Sequence, residues 1–311
     1  MSMAKIGFLF SGQGAQFPGM MKDLYAEESA AKEVFDKADE ALGRSISGLC
    51  FEGTQEELNL THNTQPCMLT GDIAAAMTLK AHGIQADAVA GFSLGEYAAL
   101  AYAGAISLEE VFPLIQIRAD AMQEAVAPGE GAMAAFIGAT SEQVENICER
   151  VTKGYVVAAN YNSPVQTVVS GSVAGVDEAC AIAEAEGLRC VKLAVSAPFH
   201  CAMMEPAAKR LEEEFTKISF QNPSVPVYMN VDGEPLTDGS LVADLLVKQA
   251  MSPVQWVKTL KKMQEDGIDT FIECGAGKTL SGLVKKTLTD VRILRVENMK
   301  TLQETLEALK A

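Results

Sequence analysis

Short apolar runs alternate with amphipathic segments over the first 127 residues, and the same alternation returns after residue 197. The apolar runs predict strands at residues 5–10, 86–91, 225–230, 270–274 and 292–296. The segments with helical periodicity predict helices at residues 23–42, 94–103 and 108–126. Because strands that alternate with helices form a parallel sheet covered by helices, we predict an α/β fold.

The intervening stretch has a different order of elements and begins at the turn residues Pro128 and Gly129. Its pattern predicts strands at residues 132–138, 155–160, 166–170 and 189–195 and helices at residues 142–151 and 176–186. The order β-α-β-β-α-β is that of a ferredoxin-like unit. We therefore predict one domain from residues 1–127 and 197–311, interrupted by a ferredoxin-like subdomain at residues 128–196.

Composition and charge narrow the range of functions. The 311 residues are 48% hydrophobic and carry a formal net charge of −16. This hydrophobic fraction suffices for a large core, and the net charge argues against nucleic-acid binding, because phosphate contacts require a basic face. Residues 258–300 nevertheless include nine basic and six acidic side chains. This net positive segment either attracts an acidic protein partner or is an ordinary solvated helix face.

Cysteine usage and the lack of targeting signals predict a cytoplasmic protein without a membrane segment. The seven cysteines are scattered without a C-x-x-C pair, so we expect neither a disulfide framework nor a zinc site. Residues 88–106 are apolar for long enough to resemble a membrane span, but they contain Ser93 and Glu96 and indicate a strand and a buried helix. The short apolar N-terminus lacks the features of a signal peptide.

The sequence Gly91-Phe92-Ser93-Leu94-Gly95 lies between a predicted strand and a predicted helix. This is the context of a nucleophile elbow, in which a sharp turn exposes a serine hydroxyl at a helix N-terminus. Glycines fit there because a Cβ would clash in so tight a turn. The alternative is a serine in an ordinary glycine-rich turn, and the flanking strand and helix argue against it. Ser93 is therefore the candidate nucleophile.

A serine nucleophile needs a base, and the chain has three histidines. His82 precedes a glycine and is expected to cap a helix C-terminus, whereas His62 lies in a sequence typical of loops. His200 follows a predicted strand where the insert returns to the main sheet, so we favour it as the base. Its alternative is a loop histidine bonded to backbone. No acidic residue is indicated as a third catalytic member, and a backbone carbonyl can take that place.

Arg118 falls on the apolar stripe of the helix predicted at residues 108–126. A guanidinium on a buried face must be paired, and its planar fork fits a carboxylate. That carboxylate belongs either to a ligand or, as a structural ion pair, to an aspartate or glutamate of the protein itself. The periodicity alone favours the structural ion pair.

Two glycine-rich loops bear on ligand binding. The loop at residues 11–16 can place a backbone N–H over Ser93 and form an oxyanion hole together with the Leu94 N–H. A dinucleotide fingerprint is disfavoured there, since Phe17 occupies the third glycine position. The loop at residues 275–279 imitates a phosphate loop, but Ile272 stands where its first glycine is required, so a helix-capping turn explains it better.

Together these residues resemble the malonyl-CoA:acyl-carrier-protein transacylase family of fatty-acid synthesis over essentially the whole chain. The matching positions are residues 10–14, 65–66, 91–96, 118–119, 122–123, 162–164, 166, 196–200, 249, 253–254, 256 and 275–278. Their order makes the match specific. The resemblance implies an α/β-hydrolase-like parallel-sheet domain with an inserted ferredoxin-like subdomain, which agrees with the predicted elements.

The resemblance also implies the roles of the catalytic residues. Ser93 resembles the nucleophile and His200 the general base and acid. Gln249 resembles the residue whose carbonyl orients the histidine, which would supply the third catalytic member.

Other matching positions are implied to bind the substrate. Arg118 resembles the clamp for the malonate carboxylate, and Gln13 and Leu94 resemble the backbone donors of the oxyanion hole. Phe199 resembles the form selective for malonyl groups, because its ring leaves little space for an α-methyl group. Phe92 departs from the histidine that is usual in the family.

The implied activity is a ping-pong transfer of a malonyl group from malonyl-CoA to the phosphopantetheine thiol of acyl carrier protein, without a cofactor. A monomer is expected. The acidic carrier protein is expected to dock on a basic group formed by Lys258, Lys261, Lys262, Lys285 and Lys286. A thioesterase or esterase, a noncatalytic binding subunit, and a polyketide or polyunsaturated-fatty-acid pathway are the alternatives, because an elbow alone does not distinguish them.

Overall fold

A computed structural model describes residues 4–195 and 197–310, so Ser196, which belongs to the predicted His200 motif, lies outside the described residues. The strands, in chain order, are β1 (Ile6–Phe10), β2 (Ala88–Gly91), β3 (Gly131–Ile137), β4 (Val156–Ser163), β5 (Gln166–Ser172), β6 (Arg189–Lys192), β7 (Val227–Tyr228), β8 (Pro235–Leu236), β9 (Thr270–Cys274) and β10 (Arg292–Val296). The helices are α1 (Lys22–Glu27), α2 (Ser29–Leu42), α3 (Ile46–Glu52), α4 (Gln55–Asn59), α5 (Thr61–Ala81), α6 (Gly95–Tyr102), α7 (Leu108–Glu124), α8 (Ser141–Arg150), α9 (Val173–Ala185), α10 (Glu205–Phe215), α11 (Val242–Met251), α12 (Trp256–Glu265), α13 (Thr279–Thr287) and α14 (Met299–Lys310).

The larger sheet brings three strand ends together at one edge. Its strand order is β10-β9-β1-β2-β7-β8, and β8 is the antiparallel strand at one end. Phe10, at the end of β1, pairs with Gly91 of β2 and with Cys274 of β9. Because these strands are parallel and in register, the loops that follow them lie side by side. The predicted site residues of two of these loops therefore meet at this edge.

The smaller sheet has the order β4-β5-β3-β6 and is antiparallel throughout. With α8 and α9 it forms the predicted β-α-β-β-α-β unit. It contacts the larger unit where Asn160 of β4 forms a bridge with Val254. The four strands lie inside residues 128–196, and the division of the chain into domains at 127 and 197 stays a prediction.

Several predicted elements differ from the structure. The helix predicted at residues 23–42 is divided at Glu28, whose extended backbone separates α1 from α2. The strand predicted at residues 225–230 is reduced to β7. No helix was predicted at α3, α4 or α5, and no bounds were predicted for α10 to α14. The assignment of His62 to a loop was wrong, because this residue lies in the first turn of α5. Since α5 is buried along most of its length, it lacks the polar face on which the periodicity depends. His82 caps the C-terminus of α5, as predicted.

Pro66 lies inside α5 and changes its hydrogen bonding. Proline has no N–H to donate to the carbonyl four residues earlier, which is that of His62. Arg44 Nη2 and Gln116 Nε2 donate to that carbonyl instead, at 2.9 Å and 3.2 Å. Because Gln116 belongs to α7, the proline leaves an acceptor that joins α5 to α7.

Cys180 and Cys190 form a disulfide between α9 and β6, with Cα atoms 5.5 Å apart. This pair was not predicted, because the spacing of the cysteines did not indicate that the turn after α9 returns the chain alongside the same helix. In the described part of the chain, none of the helices is both long and apolar enough to cross a membrane.

Candidate active site

Ser93 occupies a sharp turn between β2 and α6. A Cβ atom added to Gly91 would lie 1.9 Å from the carbonyl group of Gly95, and one added to Gly95 would lie 2.3 Å from the carbonyl oxygen of Phe10. Both glycines are therefore required by the turn. Ser93 has a φ of 54°, in the left-handed region that is unfavourable for a residue with a side chain. The structure thus has the strained geometry of a nucleophile elbow.

Asn230, just beyond the end of β7, supports this turn and is fully buried. Its Oδ1 accepts a hydrogen bond from the Ser93 backbone N–H at 2.7 Å, and its Nδ2 donates to the Gly91 carbonyl at 2.6 Å. These bonds help to offset the backbone strain at Ser93. Asn230 was not predicted as a site residue, although a polar residue at the carboxyl end of a predicted strand was a usable signal.

His200 lies beside Ser93. Its Nε2 is 2.7 Å from Ser93 Oγ, and its Nδ1 is 2.9 Å from the carbonyl oxygen of Gln249. Because a carbonyl oxygen only accepts, we assign the proton to Nδ1, and Nε2 accepts from the hydroxyl. Burial, assisted by the charge of Arg118, lowers the pKa of His200 to about 4. The imidazole is therefore uncharged at neutral pH, as a general base must be.

Arg118 of α7 is buried and points at the same hydroxyl. Its Nη1 donates to Gln65 Oε1 at 2.7 Å, and its Nη2 donates to Gln249 Oε1 at 3.0 Å and to Ser93 Oγ at 3.1 Å. Over residues 4–195 and 197–310 it forms no ion pair with a carboxylate, so the structural ion pair that the periodicity favoured is wrong. Its charge is therefore not neutralised by a direct ion pair and can attract an anionic ligand.

A cleft of about 210 Å³ opens in front of Ser93 and His200. Gln13 lines it from the loop after β1, Phe199 lines it from the segment before His200, and Leu283 lines it from α13. The cleft therefore has room for a small group beside the hydroxyl and has an apolar wall.

Two backbone N–H groups lie near the elbow. Leu94 directly precedes α6, and Gln13 follows Gly12, at which an added Cβ would lie only 2.9 Å from the Phe92 carbonyl oxygen. The loop after β1 thus packs closely on the elbow. Within the described ranges neither the Gln13 nor the Leu94 backbone N–H donates to a protein acceptor. Both donors are available to a ligand oxygen.

Comparison with known proteins identifies the family. The Acyl transferase domain model matches residues 7–305. The malonyl CoA-acyl carrier protein transacylase of Bacillus subtilis (strain 168) is 43% identical over 311 residues, which cover 99% of this chain and 98% of the relative. The chain belongs to this transacylase family. The Escherichia coli (strain K12) transacylase is 40% identical over 308 residues, which cover 98% of this chain and 100% of that relative.

Solved structures of transacylases have the same fold. The malonyl CoA-acyl carrier protein transacylase from Clostridium perfringens ATCC 13124 has a TM-score of 0.95 at 44% identity, covering 99% of this chain and 98% of that one. A malonyl-transacylase in complex with its type II PKS acyl-carrier protein has a TM-score of 0.95 at 35% identity. The match covers 98% of this chain and 100% of that one. The predicted α/β-hydrolase-like fold with a ferredoxin-like insert is thereby confirmed.

Phe92, which replaces the histidine usual in the transacylase family, packs within the site. Its ring lies edge-on to Trp256 with the centroids 5.3 Å apart, and it lines the cleft. The aromatic ring therefore fills this position by apolar packing.

The glycine loop after β9 in this transacylase is closed to phosphate. The Glu273 carboxylate accepts the Leu280 N–H at 2.9 Å and the Ser281 N–H at 2.7 Å. Because these are N-terminal donors of α13, a phosphate would have to displace a buried carboxylate. The helix-capping interpretation is confirmed, with Glu273 as the capping group.

Proposed function

We propose that this chain transfers the malonyl group of malonyl-CoA to the phosphopantetheine thiol of acyl carrier protein through a malonyl-Ser93 intermediate, supplying extender units for fatty-acid synthesis. The observation that carries the proposal is the convergence on Ser93 Oγ. His200 Nε2 lies at 2.7 Å from this oxygen and Arg118 Nη2 at 3.1 Å. A base and a cation therefore contact the same hydroxyl oxygen. This arrangement suits an acyl group that carries a free carboxylate.

In the first half-reaction, His200 Nε2 takes the proton of Ser93 Oγ as this oxygen attacks the thioester carbonyl. The N–H groups of Gln13 and Leu94 hold the negative oxygen of the tetrahedral intermediate. The carbon–sulfur bond then breaks, and the imidazolium returns its proton to the departing CoA sulfur. The Gln249 carbonyl keeps the imidazole in the required tautomer throughout.

In the second half-reaction, His200 takes the proton of the phosphopantetheine thiol, and the sulfur attacks the malonyl ester. The ester bond to Ser93 breaks and the proton returns to Oγ. Each bond change is accounted for by Ser93, His200 and the two substrates, so we assign no cofactor. The cytoplasmic location and the monomeric state stay predictions.

The substrate's free carboxylate is assigned to Arg118. Gln65 and Gln249 bind the guanidinium through neutral amide oxygens, so its charge is left for the ligand. Phe199 lines the cleft beside His200 and restricts the space for an α-methyl branch.

The function is tested by incubating the protein with malonyl-CoA and measuring its intact mass, then adding holo acyl carrier protein. We expect a malonyl adduct on Ser93 that disappears as malonyl-carrier protein forms. Hydrolysis to malonate at the same rate with and without carrier protein would instead establish a thioesterase. If no adduct forms under any condition, the protein is a noncatalytic binding subunit and the proposed function is wrong.

Replacing Arg118 with alanine is expected to lower kcat/KM for acylation by malonyl-CoA about a hundredfold and to leave acetyl-CoA acylation within about threefold. The reason is that only the malonyl group presents an anion to the guanidinium. Arg150→Ala, at an exposed ion pair with Glu186, is the matched control. An unchanged preference for malonyl over acetyl in Arg118→Ala would refute the assignment.

Within the five lysines predicted to dock the carrier protein, those of α13 are better placed than those of α12. Leu280 and Leu283 of α13 line the cleft. Lys286 follows Leu283 by three positions, so it lies near the same helix face. Lys258 of α12 lines a different cavity with Tyr161, and Lys262 is paired with Asp266 at 2.9 Å. We therefore place the carrier-protein contact on α13.

Charge reversal of Lys286 to glutamate is expected to raise the KM for carrier protein about tenfold, because an acidic partner then meets a like charge. Formation of malonyl-Ser93 from malonyl-CoA should stay within about twofold. Lys261→Glu on α12 is the matched control and should leave both steps unchanged. Steady-state transfer at several carrier-protein concentrations measures the effect. An equal rise in KM for both variants would contradict docking on α13.

A further inference from the structure

Glu96 is a buried acid at the centre of the site that the mechanism above does not use. It follows the elbow in α6, where its two carboxyl oxygens face different elements. Oε2 accepts the backbone N–H of Asn230 at 2.5 Å, and Oε1 accepts Nε2 of Gln249 at 3.2 Å. One carboxyl group thus connects the residue that supports the elbow with the residue that supports His200.

The side-chain amide of Gln249 has to be oriented in one of two ways. In the structure its Oε1 accepts from Arg118 Nη2, while its Nε2 donates to the Ser93 carbonyl at 2.8 Å and to Glu96. A rotation of the amide by half a turn would bring N–H groups of Gln249 and Arg118 face to face. The acceptors on the Nε2 side therefore determine whether Arg118 has an acceptor on the other side.

We infer that Glu96 is a positioning residue that fixes the Gln249 amide, and through it the Arg118 guanidinium, in the geometry that selects a malonyl group. This inference rests on the proposed function and adds a specificity residue to it. Burial raises the pKa of Glu96 to about 8. Both oxygens face N–H donors, an arrangement that suits the ionised form with its two acceptor oxygens, so the comparison below is made above this pH.

Glu96→Gln is a sharp test because it keeps the shape of the side chain while it replaces one acceptor oxygen with an NH₂ donor and removes the carboxylate charge. An amide offers one acceptor oxygen where the carboxyl group uses two. The Asn230 N–H is fixed by the backbone, so the new amide turns its oxygen there and its NH₂ toward Gln249. The Gln249 amide then keeps only the Ser93 carbonyl as an acceptor and meets a donor where Glu96 accepted, so its hold on Arg118 is weakened.

The experiment compares acylation by malonyl-CoA and by acetyl-CoA on the same preparation, by intact mass against time. In Glu96→Gln we expect the ratio of the two kcat/KM values to fall about tenfold, mainly through a higher KM for malonyl-CoA. Because unfolded protein contributes to neither rate, the ratio does not depend on how much of the variant folds.

Two further variants complete the test. Asp72→Asn changes another fully buried carboxyl group, one whose oxygens have no hydrogen-bond partner among the described residues, and should leave the ratio within about twofold. Glu96→Asp keeps two acceptor oxygens and should restore part of the ratio. An equal loss with both acyl groups, or no loss, in Glu96→Gln would make Glu96 merely structural and overturn the inference. Absence of malonyl-Ser93 in the unmodified protein would instead overturn the proposed function.

Discussion

Replacing Ser93 with alanine is expected to abolish the malonyl adduct and to lower transfer to carrier protein by at least about 10⁴-fold. The hydroxyl oxygen is the atom on which His200 and Arg118 converge, at 2.7 Å and 3.1 Å. Intact-mass measurement after incubation with malonyl-CoA detects the adduct directly. Continuous assay of CoA release measures the residual rate.

Ser141→Ala is the matched control, because Ser141 is an exposed serine at the start of α8, away from the cleft. This variant should acylate like the unmodified protein. A malonyl adduct that persists in Ser93→Ala would place the nucleophile elsewhere and refute the role assigned to the elbow.

Replacing His200 with alanine is expected to slow acylation of Ser93 about a thousandfold, the usual size of a general-base contribution. The fold should be retained, because the side chain is anchored by one bond to the Gln249 carbonyl and one to Ser93. His82→Ala, at the exposed end of α5, is the control and should leave the rate unchanged. An unaffected rate in His200→Ala would mean that another group accepts the Ser93 proton.

The environment of His200 also predicts how the rate of acylation depends on pH. Burial and the neighbouring Arg118 lower the pKa of His200 to about 4, so the free base persists below the ordinary histidine range. Acylation by the unmodified protein is therefore expected to be constant between about pH 5 and pH 7. Stopped-flow acylation across this interval measures it. A titration with a midpoint near pH 6.5 would show that the imidazole has an unperturbed pKa.

The nucleophile and the base could be found in the sequence because their signals are local. Gly91 and Gly95 indicate a turn whose geometry allows no other residue. His200 was selected because it follows a predicted strand at the point where the insert returns to the main sheet. The resemblance added Gln249, for which spacing gave no indication, and it selected Gln13 from the glycine-rich loop that was already expected to supply a backbone N–H. The structure brings these residues together around one hydroxyl, while their catalytic roles stay proposals.

The support of the site could not be predicted in the same way. Asn230 acts through hydrogen bonds to a strand that is distant in sequence, and Glu96 acts through two partners from different elements. Periodicity describes which face of an element is buried, but it does not say which buried polar groups meet. Periodicity also did not predict α5, because a helix that is buried on nearly all sides has no polar face.

Pro66 has a consequence for the guanidinium of Arg118, which is bound by the adjacent Gln65. Two hydrogen bonds join α7 to α5. Gln116 donates to the His62 carbonyl, and Arg118 donates to the Gln65 side chain. A guanidinium held by such bonds loses little conformational freedom when it binds an anion, since its orientation has been set during folding. Pro66 thereby helps to set the orientation of Arg118, although the two side chains belong to different helices.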